Sequence, residues 1–298
     1  MSKSVAQYQK AFNNVIDKLK QSSSVLAVMV FGSMVSGDLW EESDIDLFVI
    51  VNRNSGELEN IYTEEKDISV HIKLMNKQKF FQLCEEDLRG GFLHRVMAAS
   101  KLVFSRDSEI TSKFDGTRYY PDLDRERWNL TYLGNSLKSI SVCRKCLFNN
   151  NVNTAFIAIT KCIDNYSKLF INSSGYMISK DALIMAMNLD DNYRKLVEDL
   201  SYNRENPVNA INNILEYIEH SIDSSLSHYT SLLLNFMKEK DCFLSTEEII
   251  RDTLFKNYDI SMEDILNRLW EKNLIKKEFR DYKIENGLTV LKEKVYFI

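Results

Sequence analysis

Proline is nearly missing from this chain. Two residues in 298 are too few for the Pro-rich linkers that join mobile modules, so the segments between elements read as parts of packed domains. Long apolar runs are missing too: none approaches the roughly 20 residues of a membrane span. The first twenty residues, MSKSVAQYQKAFNNVIDKLK, contain no signal-peptide core. Five cysteines, odd in number and without framework spacing, exclude a disulfide scaffold and suit reduced thiols in a cytoplasm. Cys143-Arg144-Lys145-Cys146 has the look of half a zinc site, but no second pair follows and no zinc is expected. Positive charge is short as well. Lys plus Arg number 38 against 43 Asp plus Glu, a formal charge of −5 with no basic block. That disfavours a nucleic-acid partner and leaves room for a small or cationic ligand.

What is present is an ordinary globular composition, 44% hydrophobic and 27% charged, in a chain long enough for two or three domains. The chemistry concentrates between Val28 and Val51. An apolar, β-branched run from Val25 to Phe31 predicts a buried strand. It breaks at Gly32-Ser33, Gly37 follows in a polar segment, and Ser43-Asp44-Ile45-Asp46 opens a second strand ending at Val51. Alternation along a strand puts Asp44 and Asp46 on one side and Ile45 and Leu47 on the other. Adjacent carboxylates repel unless a cation lies between them, and Mg²⁺ is usually held by one or two carboxylates together with substrate phosphates.

Gly32-Ser33, the spacer with Gly37 and Ser43-Asp44-Ile45-Asp46 together resemble the signature of the DNA polymerase β-like nucleotidyltransferases, which include antibiotic-modifying and minimal nucleotidyltransferases. The resemblance spans roughly residues 20 to 107. It implies that Gly32 and Ser33, with Ser43 beside them, contact the nucleotide phosphates. It also implies that Asp44 and Asp46 bind Mg²⁺ and that a nucleoside triphosphate, ATP being the first expectation, is co-substrate. Family members often carry a third carboxylate on the third strand. Here that strand reads from Asp67 to Leu74, and His71 stands where the carboxylate is expected. His71 and Asp67 are therefore the two candidates for a general base, with a polar strand position as the alternative for His71.

The N-terminal residues 4 to 20 and the stretch after Asn76 read as helices, Asn52 to Gly56 as a loop followed by a polar, acidic stretch at 57 to 66, 92 to 99 as a further helix, and Lys101 to Phe104 as another strand. From Asp122 to Lys240 the pattern is helical. Trp128, Tyr132, Leu133 and Leu137 share one helix face, and Phe156, Ile159, Ile163, Tyr166 and Phe170 form a seam on the next. Ser179 begins a later helix. The aromatics Tyr119, Tyr120, Trp128, Tyr132 and Tyr166 either line an acceptor pocket or, as is commoner, pack in the core. In the last segment, capping boxes at Ser245 and Ser261 open two helices, and Asn286-Gly287 predicts a hairpin turn. This order resembles a winged helix. Residues 241 to 298 carry ten Lys plus Arg against twelve Asp plus Glu, net −2, which favours an interaction or dimerisation module over DNA binding.

The expected class is α+β: a polymerase-β-like domain at 1–115, a helical bundle at 116–240 and a winged-helix-like domain at 241–298. The expected activity is transfer of a nucleoside monophosphate to a hydroxyl of a small, antibiotic-like molecule with release of pyrophosphate. The alternative is a catalytically weak, nucleotide-binding regulator whose last domain engages DNA or protein. No membrane association is expected.

Overall fold

The structure, a computed structural model, describes residues 4–54, 57–86, 88–178, 181–202, 205–283 and 289–298. Expectations for Gly56, Ser179 and the Asn286-Gly287 turn lie outside these residues. The chain divides into two compact units, Met1–Pro121 and Asp122–Ile298.

The first unit opens with α1 (Val5–Gln21), started by a capping box in which Ser4 accepts from the Gln7 backbone and the Gln7 side chain accepts from the Ser4 N–H. Then follow β1 (Val25–Phe31), the one-turn α2 (Ser33–Ser36), β2 (Ile45–Val51), β3 (Glu59–Glu65) and β4 (Ile68–Asn76). The unit closes with α3 (Lys77–Glu86), α4 (Phe92–Ala99), β5 (Lys101–Ser105) and α5 (Ser108–Gly116). The sheet order is β3-β4-β2-β1-β5. All neighbours are antiparallel except β2 and β4, which run parallel. Alternation sorts the strand side chains onto two cores. Tyr8, Ala11, Val15 and Ile16 of α1 cover Val28, Leu47 and Val70, and Phe80, Met97, Ile110 and Phe114 of α3, α4 and α5 cover Met29, Phe48 and Met75.

Two features of this unit differ from expectation. The polar, acidic stretch 57 to 66, to which the sequence assigns no element, contains β3, which pairs with β4 over its whole length, from Glu59↔Leu74 to Glu65↔Ile68. The joining turn is Lys66-Asp67, both at positive φ (54° and 63°), the left-handed geometry of a two-residue hairpin. Asp67 therefore sits in the turn, not in the strand. The second feature is α5, which follows Asp107. That carboxylate caps it by accepting from the Glu109 and Ile110 N–H groups.

The second unit begins with α6 (Asp122–Phe148), α7 (Val152–Ser173), α8 (Ala182–Leu189), α9 (Asp191–Tyr202), α10 (Pro207–Ser224), α11 (Leu226–Tyr229) and α12 (Ser231–Lys240). It ends with β6 (Leu244–Ser245), α13 (Thr246–Arg251), α14 (Met262–Glu271), β7 (Lys276–Lys283) and β8 (Thr289–Phe297). The last three strands form a small sheet in the order β6-β8-β7. The expected boundary near residue 240 falls inside this unit. Gly134 of α6 lies so close to Ser261 that a Cβ there would meet the Ser261 N at 3.0 Å, and Tyr258 donates to Asp124 at 2.9 Å. Arg268 makes a two-pronged pair with Asp223 at 2.7 and 2.8 Å.

The capping box at Ser245 forms, with Ser245 N–H donating to Glu248 at 2.7 Å. The one at Ser261 does not: its side chain makes no cap bond. On α7, Phe156 is exposed, and the buried seam runs through Ala155, Ala158, Ile159, Cys162, Ile163 and Tyr166.

Candidate active site

The site is built where β1 ends and β2 begins. Phe31 is the register partner of Asp46, and Phe31 stacks on Phe48, the next side chain on that face, with ring centroids 4.3 Å apart. An apolar floor thus lies directly behind the Asp46 carboxylate. Burial holds the Asp46 carboxyl above the ordinary carboxylate range. The His71 imidazole draws it back by charge and hydrogen bond, Asp44 pushes it further up, and Lys73 opposes that rise.

Gly32 follows the strand at φ 71°, ψ −150°, a conformation essentially restricted to glycine. A Cβ here would stand 2.5 Å from Asp46 Oδ2. The backbone therefore passes against the carboxylate at a distance only glycine allows. Ser33 begins α2, whose carbonyl at Gly32 accepts from the Val35 N–H at 2.9 Å, and Gly37 ends the turn in the left-handed region.

Asp44 is exposed and lies one residue before β2 begins, outside the pairings of that strand with β1 and β4. The Asp44 charge adds to the rise of the Asp46 carboxyl. Ser43 is 6% exposed. Its Oγ accepts from the Trp40 N–H at 3.1 Å and its N–H donates to the Trp40 carbonyl at 3.0 Å, so the hydroxyl is engaged in closing its own turn. The Tyr8 hydroxyl reaches this turn from α1, at 2.8 Å from the Trp40 carbonyl and 2.9 Å from that of Ser43. Burial first, and the Asp44 charge next, raise the pKa of the phenol.

His71 is the register partner of Asp46 on β4, and its Nδ1 lies 3.3 Å from Asp46 Oδ1. Its Nε2 is 3.0 Å from Asn60 Oδ1, which also accepts from Lys73 Nζ at 3.2 Å. The lysine fixes which end of the Asn60 amide faces the ring, so Nε2 carries a hydrogen and Nδ1 faces the carboxylate. Tyr62 lies flat on the imidazole, centroids 4.6 Å apart and planes at 10°. Asp67 lies four residues before His71 along the chain, about 13 Å at strand rise. Asn60, Tyr62 and Tyr8 were not singled out from the sequence. Only reading Asn60-Ile61-Tyr62-Thr63 as an edge strand, which no hydrophobic period marks, would have placed the first two.

Among the described residues no group of three or more His, Cys, Asp and Glu is arranged to hold a metal ion. Two carboxylates remain, hard oxygen donors beside a glycine that leaves room for nothing larger, and this donor set suits Mg²⁺ when phosphate oxygens complete the shell. The five cysteines are all free, and Cys143 donates to the Ala155 carbonyl at 3.4 Å. Tyr132 and Tyr166 are buried, Tyr166 bonded to Ser221 at 2.7 Å, which places both in the core of the second unit. Tyr119 is exposed.

The family described as "Polymerase beta, Nucleotidyltransferase" matches residues 13–109. Those residues carry the sheet, the Gly-Ser turn and both aspartates, and the N-terminal domain is of the polymerase β-like nucleotidyltransferase superfamily. A nucleotidyltransferase-like protein from Exiguobacterium sibiricum 255-15 shares the fold across 97% of this chain and 99% of its own, with a TM-score of 0.64 and 16% identity. No curated protein matches the sequence. Among the described residues no helix is long and apolar enough to cross a membrane.

Proposed function

We propose that the chain is a Mg²⁺-dependent nucleotidyltransferase that moves a nucleoside monophosphate from a nucleoside triphosphate, ATP being the first to test, to a hydroxyl of a small molecule. The observation that carries this reading is the approach of Gly32 to Asp46 within a turn only glycine can make. In this reading Asp44 and Asp46 hold the ion, and the Gly32 backbone with the Ser33 hydroxyl receives the β- and γ-phosphates. The ion, when bound, neutralises charge on the phosphates. The acceptor oxygen bonds to the α-phosphorus as the bond to the bridging oxygen breaks, and pyrophosphate departs with the electron pair.

His71 is better placed to orient Asp46 than to take the acceptor's proton, because both ring nitrogens are engaged. Asp67, in its turn, is too distant along the strand. An acceptor that loses its proton to solvent satisfies this arrangement. The same observation supports a second reading, a nucleotide-binding regulator with little turnover, whose C-terminal winged-helix-like part engages a partner.

The test is to incubate the protein with Mg²⁺, each α-labelled nucleoside triphosphate and a panel of hydroxylated and aminated small molecules, measuring pyrophosphate and label transfer. Transfer that vanishes in Asp44→Ala and Asp46→Ala supports the enzyme. Nucleotide binding without transfer supports the regulator. Transfer that survives both substitutions removes the assigned site.

A further inference from the structure

The two carboxylates are held by different means. Asp46 is locked in a central strand, paired on one side with Phe31 and on the other with His71. Asp44 lies outside both ladders, so its position is inherited from the turn that precedes it. That turn is closed internally by Ser43 and Trp40; from outside the loop Leu39 packs on the α1 core beside it, and the Tyr8 hydroxyl, shared between the Trp40 and Ser43 carbonyls, is a hydrogen-bonded tie to its backbone. Tyr8 is 1% exposed and packed with Val15 and Ile16 on α1, a rigid element of the core. Trp40 is 60% exposed, yet its backbone N–H and carbonyl are both bonded.

We infer that Tyr8 is a positioning residue for the metal–nucleotide site, transmitting the rigidity of α1 to Asp44 through the Trp40–Ser43 turn. This rests on the proposed function above. A buried aromatic would fill the same volume as phenylalanine. The hydroxyl is what ties the loop, and its removal leaves two carbonyls without this donor while the packing stays in place.

The experiment compares Tyr8→Phe with Val15→Ala, which weakens the same α1 core without touching the turn. Ser43→Ala, which removes the brace on the other side of the turn, serves as a second variant should Tyr8→Phe fail to fold. Mn²⁺ binding is measured by electron paramagnetic resonance with each of the four nucleoside triphosphates. Amide exchange at Trp40 and Ser43 is followed in parallel. Tyr8→Phe is expected to weaken Mn²⁺–nucleotide binding roughly fivefold, about what one net hydrogen bond contributes, and to speed exchange at both amides. Val15→Ala is expected to lower the melting temperature with binding unchanged.

Binding by Tyr8→Phe equal to wild type, whatever its melting temperature, overturns the inference. So does equal weakening in Tyr8→Phe and Val15→Ala, which marks a general loss of core stability. Wild type that binds none of the four nucleotides with Mn²⁺ overturns the proposed function itself, a result distinguishable from either of these.

Discussion

Replacing Gly32 with alanine perturbs the site at one point whose consequences follow from the geometry. The residue holds φ 71° and ψ −150°, and forcing a side chain into that region costs about 1–3 kcal/mol. The new Cβ would then stand 2.5 Å from Asp46 Oδ2, where ordinary contact begins at 3.4 Å, so about 0.9 Å must be found. The Asp46 Cγ and Cβ are already at 3.4 and 3.6 Å and need not move. The carboxylate tip yields instead, by rotation, which carries Oδ1 away from His71 Nδ1 and turns the proposed ion-binding oxygens. A displacement near 1 Å at reacting groups costs on the order of 100-fold in rate. The assays are thermal unfolding of Gly32→Ala and pyrophosphate release at saturating nucleotide. A variant that melts several degrees lower and turns over about 100-fold more slowly agrees with the structure. Wild-type melting with wild-type turnover would refute the close approach.

Three further outcomes are expected. Asp46 has its pKa raised in the folded state, so its ionisation works against folding: the stability it contributes is present below the ordinary carboxylate range and lost as pH rises through the raised value. Asp46→Asn should thus melt higher than wild type at pH 7 in the absence of divalent cation, with the gap closing toward pH 4, while turnover is lost. A gap that widens on acidification contradicts this. Asp107 caps α5 and pairs with Lys77 at 2.7 Å, and that hydrogen bond first holds its carboxyl below the ordinary range. Asp107→Ala should cost about 1 kcal/mol at pH 7 and progressively less as acid titrates the wild-type carboxylate; an unchanged melting temperature at pH 7 rejects the cap. Among the thiols, exposed Cys242 should react first with a disulfide reagent. Buried Cys143, pushed up to about 11 by burial, and buried Cys162 should react only on unfolding, which a thiol count in native and denaturing buffer decides.

Much of the first unit was legible because its central strands are buried on both faces or strictly alternating. Val25–Phe31 and the pattern Ile68, Val70, Ile72 announce themselves by composition. The edge strand β3 did not, since every side chain from Glu59 to Glu64 is exposed and no hydrophobic period marks it. Its turn, Lys66-Asp67, adopts a conformation usually signalled by Asn-Gly, so the hairpin was hidden twice. That one omission also obscured Asn60 and Tyr62, the residues that fix His71. In the second unit α6 contacts α7, α10, α11, α12 and α14 and buries Asn129, Thr131 and Ser136 among apolar residues. A helix covered on several sides has no polar face to read, and its partners follow from tertiary packing alone.

The Gly-Ser turn and the two aspartates were visible as a pattern, because spacing along β1 and β2 translates directly into position. The tie from Tyr8 was not visible, since it joins residues 32 and 35 positions apart. Nothing local marks one buried tyrosine of an amphipathic helix as different from another.

The most direct measurement is the anomalous scattering of Mn²⁺ in crystals grown with a non-hydrolysable nucleoside triphosphate. One ion bound by oxygens of both Asp44 and Asp46 and by the triphosphate, at the roughly 2.1–2.2 Å expected of a small hard cation, is the predicted result. A triphosphate bound with its ion elsewhere, or an ion touching neither aspartate, would contradict the account.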